Sequence, residues 1–406
     1  MIVYIVQACR KDEKPLIGCR FFFPTNICGA RFVYHNGLLL AKGVFMPRVV
    51  LAMSGGVDSS ASAVLLKEQG YDVIGLFMRT GTHSEQPDDR RDNKKGCCSV
   101  IDAGDARTIA DRLDIPFYAL DFEHEFDQII DYFADEYLAG RTPNPCVVCN
   151  NWLKFGKLWQ FAQQLEADFI ATGHYAQIIA GPDGPELHRG VDAGKDQSYV
   201  LHGIKREILP HLLFPVGGFQ KEQIRAYAAQ AGLTNVANKP DSVEICFVPD
   251  GDHARLIRQR RPNLQTAGNV VDPEGNVLGE HDGFERFTIG QRKGLGIATD
   301  RKRYVLAILP TTNTVVLGDS EDLDSSGLVA SRVNWLIEPP TEPLACLAKI
   351  RYRHTPVPAS VVVEEDQVHV TFEDPQSAVT PGQAVVFYHG NRVLGGGWIE
   401  QAVNSL

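Results

Sequence analysis

VVLAMSGGVDSS, residues 49–60, decides the fold. The aliphatic run VVLAM ends in Ser54, Gly55 and Gly56 and passes directly into Val57, Asp58, Ser59 and Ser60, which open a helical pattern. Paired glycines let a backbone approach a ligand closely, and a helix start offers unpaired N–H groups and the positive end of a dipole. Asp58, Ser59 and Ser60 add a carboxylate and two hydroxyls, the carboxylate suited to Mg²⁺. The Gly-Lys-Ser/Thr ending of a Walker A loop is absent.

Outward from this loop, RVVLAMS, a helix from Asp58 to Gln69, YDVIGLFM, a helix over about 101–113, IPFYALD, a helix over 123–138 and DFIATGH alternate. Such a βαβ series predicts an α/β fold with a doubly wound parallel sheet, and ligands at the carboxyl ends of its strands. Met78 ends the second strand there, and Gly173 and His174 end a later one. After about 250, NVVDPEGNVLGEHDGFERFTIGQ and RYVLAILPTTNTVVLGD read as hairpins. From 321 onward strands follow without helices, which predicts a small β-barrel, since closure removes exposed edges. The expected organisation is an N-terminal extension over 1–45, a nucleotide domain over 46–250, a small central domain over 251–320 and a barrel over 321–406.

The longest apolar runs fall short of the roughly 18 residues that span a bilayer, so no membrane segment is expected. Arg10, Lys11, Asp12, Glu13 and Lys14 break the apolar region a signal peptide needs, so 1–45 reads as an extension, or as an upstream start with Met46 the real one. Nine scattered cysteines suit a reducing, cytoplasmic location. A net charge of −10 argues against nonspecific coating of nucleic acid, which needs many cations, but not against a local basic groove. The arginine-rich stretch 253–303 is the best candidate for phosphate contact.

RTPNPCVVCNN, residues 141–151, carries a CxxC spacing with several readings. Structural zinc usually wants a second pair, and none is visible. A redox dithiol normally follows the first strand of its own fold, a position taken here by the glycine loop. Thiol chemistry on an activated substrate fits, with Cys246 of DSVEICFVPDGD as a further thiol. A [4Fe-4S] cluster on three cysteines, one iron left open, is the rival. Cys149 precedes NNWLKFGKLWQF and is expected at a helix N-terminus with Lys154 and Lys157 nearby, where a thiol pKa falls. Cys97 and Cys98 form a vicinal pair, Cys346 reads as a strand core residue, and Cys9, Cys19 and Cys28 have no companion motif.

SGGVDSS resembles the PP-loop of ATP pyrophosphatases, enzymes that adenylate a carbonyl oxygen and release pyrophosphate. With it, GLFM, GRTPNPCVVCNNWLKFGKL, ATGHYA, KDQSYVL, SVEICFVPDGD, FTIGQRKGLG, RYRH and VTPGQAVVFY occur in the order found in tRNA-specific 2-thiouridylases of the MnmA/TrmU type. The chain resembles that family over nearly all of 47–400. The resemblance implies a transferase that replaces O2 of the wobble uridine of certain tRNAs with sulfur. ATP with Mg²⁺ would bind at Ala52, Met53, Ser54, Gly55, Gly56, Val57, Asp58 and Ser59, with Met78 and Gly173. Cys246 would carry sulfur as a persulfide received from a sulfur-relay donor protein, and Cys149 would be the nucleophile that closes a disulfide with it. Asn144, Pro145 and Cys146 would line the target base, and His174, Lys195, Asp196, Gln197, Arg351, Tyr352 and Gln383 would contact tRNA.

One departure stands out. Many members have Asp where this chain has Cys146, which removes a general base and gives Cys146, Cys149 and Cys246 the count needed for an open [4Fe-4S] cluster. Two other readings remain: a different PP-loop ligase, such as an amide-forming synthetase that works without these thiols, and a noncatalytic tRNA- or metal-binding protein.

Overall fold

The computed structural model describes residues 32–35, 38–41, 46–81, 100–240, 245–298 and 301–404. Cys9, Cys19, Cys28, Cys97, Cys98 and the 241–244 part of the Cys246 motif lie outside the described residues. Within the extension, Phe32–His35 pairs antiparallel with Leu38–Ala41.

The Arg48–Ala52 strand is the centre of a five-stranded parallel sheet. Asp72–Arg79 and then Phe117–Asp121 lie on one side of it, Phe169–Thr172 and then Leu212–Leu213 on the other. Val49, Val50 and Leu51 are fully buried, as a strand covered on both faces requires. The helices Val57–Glu68, Val100–Arg112 and Glu123–Leu138 fall within a residue or so of their expected places.

After Phe117–Asp121 the chain crosses back to the far side of the first strand, so the sheet order reverses between Arg48–Ala52 and Phe169–Thr172. The crevice at such a switch point is where open α/β sheets bind ligands. Here the SGG loop and Gly173 face each other. A Cβ on Gly173 would come within 2.8 Å of the Ser59 backbone nitrogen, so a side chain there would wedge the two strand ends apart.

The central region is a four-stranded sheet of Val277–His281, Gly268–Val271, Thr314–Gly318 and Tyr304–Leu309 around Val270, Phe284, Phe287, Val305, Val315 and Leu317. Its hairpins turn at Pro273-Glu274-Gly275 and at Thr312-Asn313, as expected. Beyond it, Asp324–Trp335, Leu344–Lys349, Val357–Glu364, Gln367–Ser377, Ala384–His389 and Arg392–Asn404 form an antiparallel barrel closed by pairing of its first and last strands. Cys346 is partly buried against its core, and burial pushes its thiol up to about 12.

The barrel is not a separate appendage. The hairpin Ala176–Gly181 and Gly184–Arg189, from the nucleotide domain, joins the barrel sheet through the pairing of His188 with Arg392. Arg141 reinforces the junction, binding Glu136 at 2.8 Å on the domain side and Glu400 at 2.7 Å on the barrel side. The loops of the nucleotide domain therefore have a fixed wall opposite them.

Gly55 has φ of +69°, and a Cβ on it would meet the Asp102 carbonyl oxygen at 2.2 Å. Gly55→Ala is expected to lower stability by about 2 kcal/mol or more, from left-handed strain plus this clash. Gly70, with φ of +85° and open space around it, gives the strain alone. Urea denaturation of the two alanine variants checks this, and equal losses would remove the Asp102 contact from the account.

Candidate active site at the carboxyl edge of the parallel sheet

The SGG loop is built to leave backbone donors unoccupied. Gly56 is the N-cap of the Val57–Glu68 helix and has no side chain to cap the first N–H groups. The serines turn inward instead. Ser59 Oγ accepts from Ser54 N at 3.1 Å, and the buried Ser60 and Ser62 hydroxyls donate to the carbonyls of Gly56 and Asp58 at 2.7 and 2.8 Å. Ser60 thus braces the helix start rather than offering its hydroxyl to a ligand. Met53 is 2% exposed, so its side chain is core and its backbone alone is available.

Asp58, expected as a Mg²⁺ ligand, is already engaged. Lys221 Nζ lies 2.7 and 2.8 Å from its two oxygens, and the Tyr175 hydroxyl donates to it at 2.8 Å. Lys221 is 4% exposed and opens the Lys221–Gln230 helix, whose start is fixed by a Gln220/Gln223 capping box. A second lysine grips the loop from the other side: Lys239 Nζ donates to Gly55 O at 3.1 Å and pairs with Asp102 and Asp105. Burial lowers the Lys239 pKa and these carboxylates more than restore it, so it is raised and the cation persists. Neither lysine is visible as a site residue in the sequence, because their partners lie more than a hundred positions away.

Around the loop is a cleft of about 1540 Å³ that Ser54, Asp58, Met78, Gly173, His174 and Gln197 help to line. Ordinary small-molecule pockets run to roughly 300–1,000 Å³, so this one has room for a nucleotide and a second group. His174 is buried, its Nδ1 is 2.7 Å from Thr172 Oγ1, and burial followed by the nearby Lys154 charge holds its pKa well below the usual value. It stands neutral at physiological pH. Lys195 also lines the cleft, whereas Asp196 is buried and accepts from Gly190 N, Ser198 N and Ser198 Oγ at 3.0–3.1 Å. Gln197 accepts from Tyr175 N at 2.9 Å, tying this loop to the strand end.

The thiols sit on a different frame from the expected one. The helix begins at Pro145, with Asn144 as N-cap accepting from Val147 N at 3.3 Å, so Cys146 is in the first turn and Cys149 ends it. Cys149 then opens a π-helix running to Lys157. Asn-Pro is the stronger start signal, since proline suits the first helical position and asparagine the cap. Cys146 is exposed, while Cys149 and Cys246 are partly buried against the same large core cluster. Among the described residues no cysteine lines the cleft itself. Lys154, whose N–H is in π-register with the Cys149 carbonyl, does, so one wide turn links thiol and cleft.

The barrel closes the other side. Gln383 Nε2 donates to Thr142 O and Pro143 O, each at 3.0 Å, holding the loop that leads to Asn144. Tyr352 is 41% exposed and lines the cleft, and burial of part of its ring, then Asp196 and Cys146, raises its phenol pKa. Arg351 is adjacent and half-buried. The Asn144–Cys146 turn and the Arg351–Tyr352 pair, far apart in sequence, therefore face each other.

Among the described residues no group of three His, Cys, Asp or Glu side chains is placed to hold a metal. Cys146, Cys149 and Cys246 therefore do not come together as such a group. The basic stretch is also quieter than its composition. Arg260 and Arg261 pair with Asp127, Asp131 and Asp135 of the Glu123–Leu138 helix, Arg258 with Glu285, and Arg301 and Arg303 with Asp319. These arginines fasten the central region to the nucleotide domain or to itself. Among the described residues no helix is long and apolar enough to cross a membrane.

Comparison with known proteins agrees with this layout. Family models match in series: a tRNA methyl transferase HUP domain over 47–250, a tRNA methyl transferase PRC-barrel domain over 256–319 and an aminomethyltransferase β-barrel domain over 325–399. The chain is 47% identical to the tRNA-specific 2-thiouridylase MnmA of Rhodopirellula baltica, over 89% of this chain and 98% of that one. It is 49% identical to that of Geotalea uraniireducens, over 88% and 96%. Among solved structures, a U34-tRNA thiolase of Methanococcus maripaludis with a [4Fe-4S] cluster is similar at TM-score 0.31 and 14% identity, over 54% of this chain and 73% of that one.

Two outcomes follow from the geometry. Lys221→Met strands the Asp58 carboxylate beside the loop and is expected to cost about 3 kcal/mol in thermal denaturation and to weaken ATP binding; an unchanged melting point would show the pair to be dispensable. His202 is buried, its Nδ1–H donates to Tyr199 O at 2.8 Å, and burial lowers its pKa to about 4. Its unfolded form binds a proton near pH 6.5, so stability is full above that pH and is lost as pH falls toward 4, by about 3 kcal/mol. His202→Asn should flatten that part of the stability–pH curve.

Proposed function

Because the chain belongs to the tRNA-specific 2-thiouridylase family of tRNA sulfurtransferases, we propose that it converts the wobble uridine of tRNA to 2-thiouridine by adenylation followed by persulfide transfer. The observation that carries the reading is the meeting, at one sheet edge, of the uncapped SGG helix start, the Cys149 helix with its cleft-lining Lys154, and the barrel's Tyr352.

In this scheme ATP lies against Ala52–Ser59 with its phosphates on the N–H groups after Gly56, and Met78 and Gly173 beside the base. Mg²⁺ arrives with the triphosphate, since the Asp58 carboxylate is held by Lys221. Uracil O2 attacks the α-phosphorus, pyrophosphate leaves, and C2 becomes electrophilic with AMP as its leaving group. Lys154 and the helix start supply positive charge where that negative charge develops. His174, neutral and hydrogen-bonded to Thr172, shapes the wall without adding charge.

A donor protein loads Cys246 as a persulfide. Its terminal sulfur attacks C2, and the C2–O bond breaks to release AMP. Cys149 thiolate then attacks the Cys246 sulfur, breaking the S–S bond so that the transferred sulfur stays on the base and a Cys149–Cys246 disulfide forms. An external thiol reductant returns both cysteines to thiols. Asn144, Pro145 and Cys146 border the flipped base, with Arg351, Tyr352 and Gln383 on the tRNA side. Cys146 stands where an acid base would act, so proton removal falls to water or to the persulfide itself.

Purified protein given tRNA, Mg-ATP and a persulfide donor should form 2-thiouridine with AMP and pyrophosphate in equal amounts, read by nucleoside mass spectrometry. Cys246→Ser should abolish the thionucleoside while tRNA-dependent pyrophosphate release continues. Activity that tracks bound iron, or a fully active Cys246→Ser enzyme, would overturn the persulfide route.

A further inference from the structure

Three nitrogen-bearing side chains meet where the end of the barrel strand Leu344–Lys349 approaches the hairpin strand Gly184–Arg189. Lys349 is 8% exposed and lines the cleft, and its Nζ lies 5.7 Å from the centroids of both the Tyr199 and Tyr352 rings. It forms no ion pair among the described residues. Asp196, the acid whose charge acts on it, spends its oxygens on Gly190 and Ser198. Arg189 also lines the cleft, its guanidinium 4.1 Å over the Tyr388 ring and its Nη2 buried without a hydrogen-bond partner. His354 lines the same wall, with a buried and unpartnered Nδ1.

Unpaired cations in a low-dielectric setting are costly, and stacking on tyrosine returns part of that cost. Two such cations side by side repel each other as well, which burial alone gives no reason to retain. An anion between them removes both penalties and supplies charge-assisted hydrogen bonds to the orphaned N–H groups. Its chemistry is a phosphate group, from an RNA backbone or from the bound nucleotide. The position favours RNA. Lys349 and His354 flank the Arg351–Tyr352 pair on the barrel, whereas the triphosphate has its own helix start across the cleft at Gly56.

We propose that Lys349 and Arg189, assisted by His354, form a phosphate site that holds the backbone of the target nucleotide as its base enters the cleft. The proposal rests on the tRNA substrate of the preceding reading. It makes the barrel one jaw of a clamp whose other jaw is the hairpin from the nucleotide domain. The pairing of His188 with Arg392 sets the spacing of the jaws.

The test is the salt dependence of tRNA binding by the full chain. For a single-stranded segment each lost phosphate contact lowers the slope of log K against log salt by about 0.7. Lys349→Met and Arg189→Gln should each show that loss and a raised KM for tRNA, with ATP affinity and the rate of the bound complex near wild type; Lys349→Arg should restore the slope. Arg189→Gln keeps much of the stacking area and reads the same quantity should Lys349→Met fold poorly. Wild-type slopes in both variants, or a fall in ATP affinity with an unchanged tRNA slope, would overturn the proposal. These readings come from binding, so they stand apart from any failure of the wild-type protein to form 2-thiouridine.

Discussion

The Asp58 carboxylate fixes the register of three pieces of chain that also share one apolar cluster through Val57, Tyr175 and Ile224. The helix that carries it follows the first strand, Tyr175 follows the strand on the far side of the switch point, and Lys221 opens a helix more than forty residues later. Two desolvated charges gain little net stability from each other, because dehydration offsets the Coulomb attraction. What the pair does supply is register: removing either partner leaves a buried charge, so the SGG loop, the Tyr175 turn and the Lys221 helix hold one relative placement. Gly173, packed against the Ser59 backbone, lets them come this close.

That placement explains which parts were readable from sequence. Alternation of aliphatic runs with helical stretches is a local signal, and it located the Val57–Glu68 and Glu123–Leu138 helices to a residue or so. The hairpin turns at Gly275 and Asn313 were likewise local, since both adopt positive φ. Lys221 and Lys239, which brace the loop, were not legible in the sequence, for their roles come from partners found only after folding. The partners of the arginine stretch were hidden for the same reason. Composition reports charge, whereas Asp127, Asp131, Asp135, Glu285 and Asp319 report that much of it is already neutralised.

The thiol segment shows a subtler limit. A CxxC before an amphipathic run suggests a helix starting at the second cysteine, but Asn144-Pro145 starts it earlier, and the chain then widens into a π-helix from Cys149 to Lys157. Such widening is rare away from functional sites and is not encoded by any periodicity a sequence reader would test. Its effect is to turn Cys149 toward the core cluster that also receives Cys246 while Lys154 reaches the nucleotide side. The buried Asn150 and Asn151 each keep a side-chain oxygen without a partner on this same turn, so the segment carries an unmet polar cost as well as an uncommon backbone. Both features mark a stretch whose geometry is held by its surroundings rather than by its own preferences.

A chain of net charge −10 that acts on RNA must restrict attraction to a small area, since a diffuse field of that sign repels phosphate. The pairing of the central arginines with helix 123–138 and with Asp319 withdraws positive charge from the outer surface. Arg189 and Lys349 lie inside the cleft wall, stacked on Tyr199, Tyr352 and Tyr388 rather than on carboxylates. An aromatic face stabilises a cation without neutralising it, so the wall remains able to take an anion. Under the proposed phosphate site, a polyanion gains most where its backbone can enter between the barrel and the nucleotide domain, which is also where a flipped base would meet Gly173 and the SGG loop.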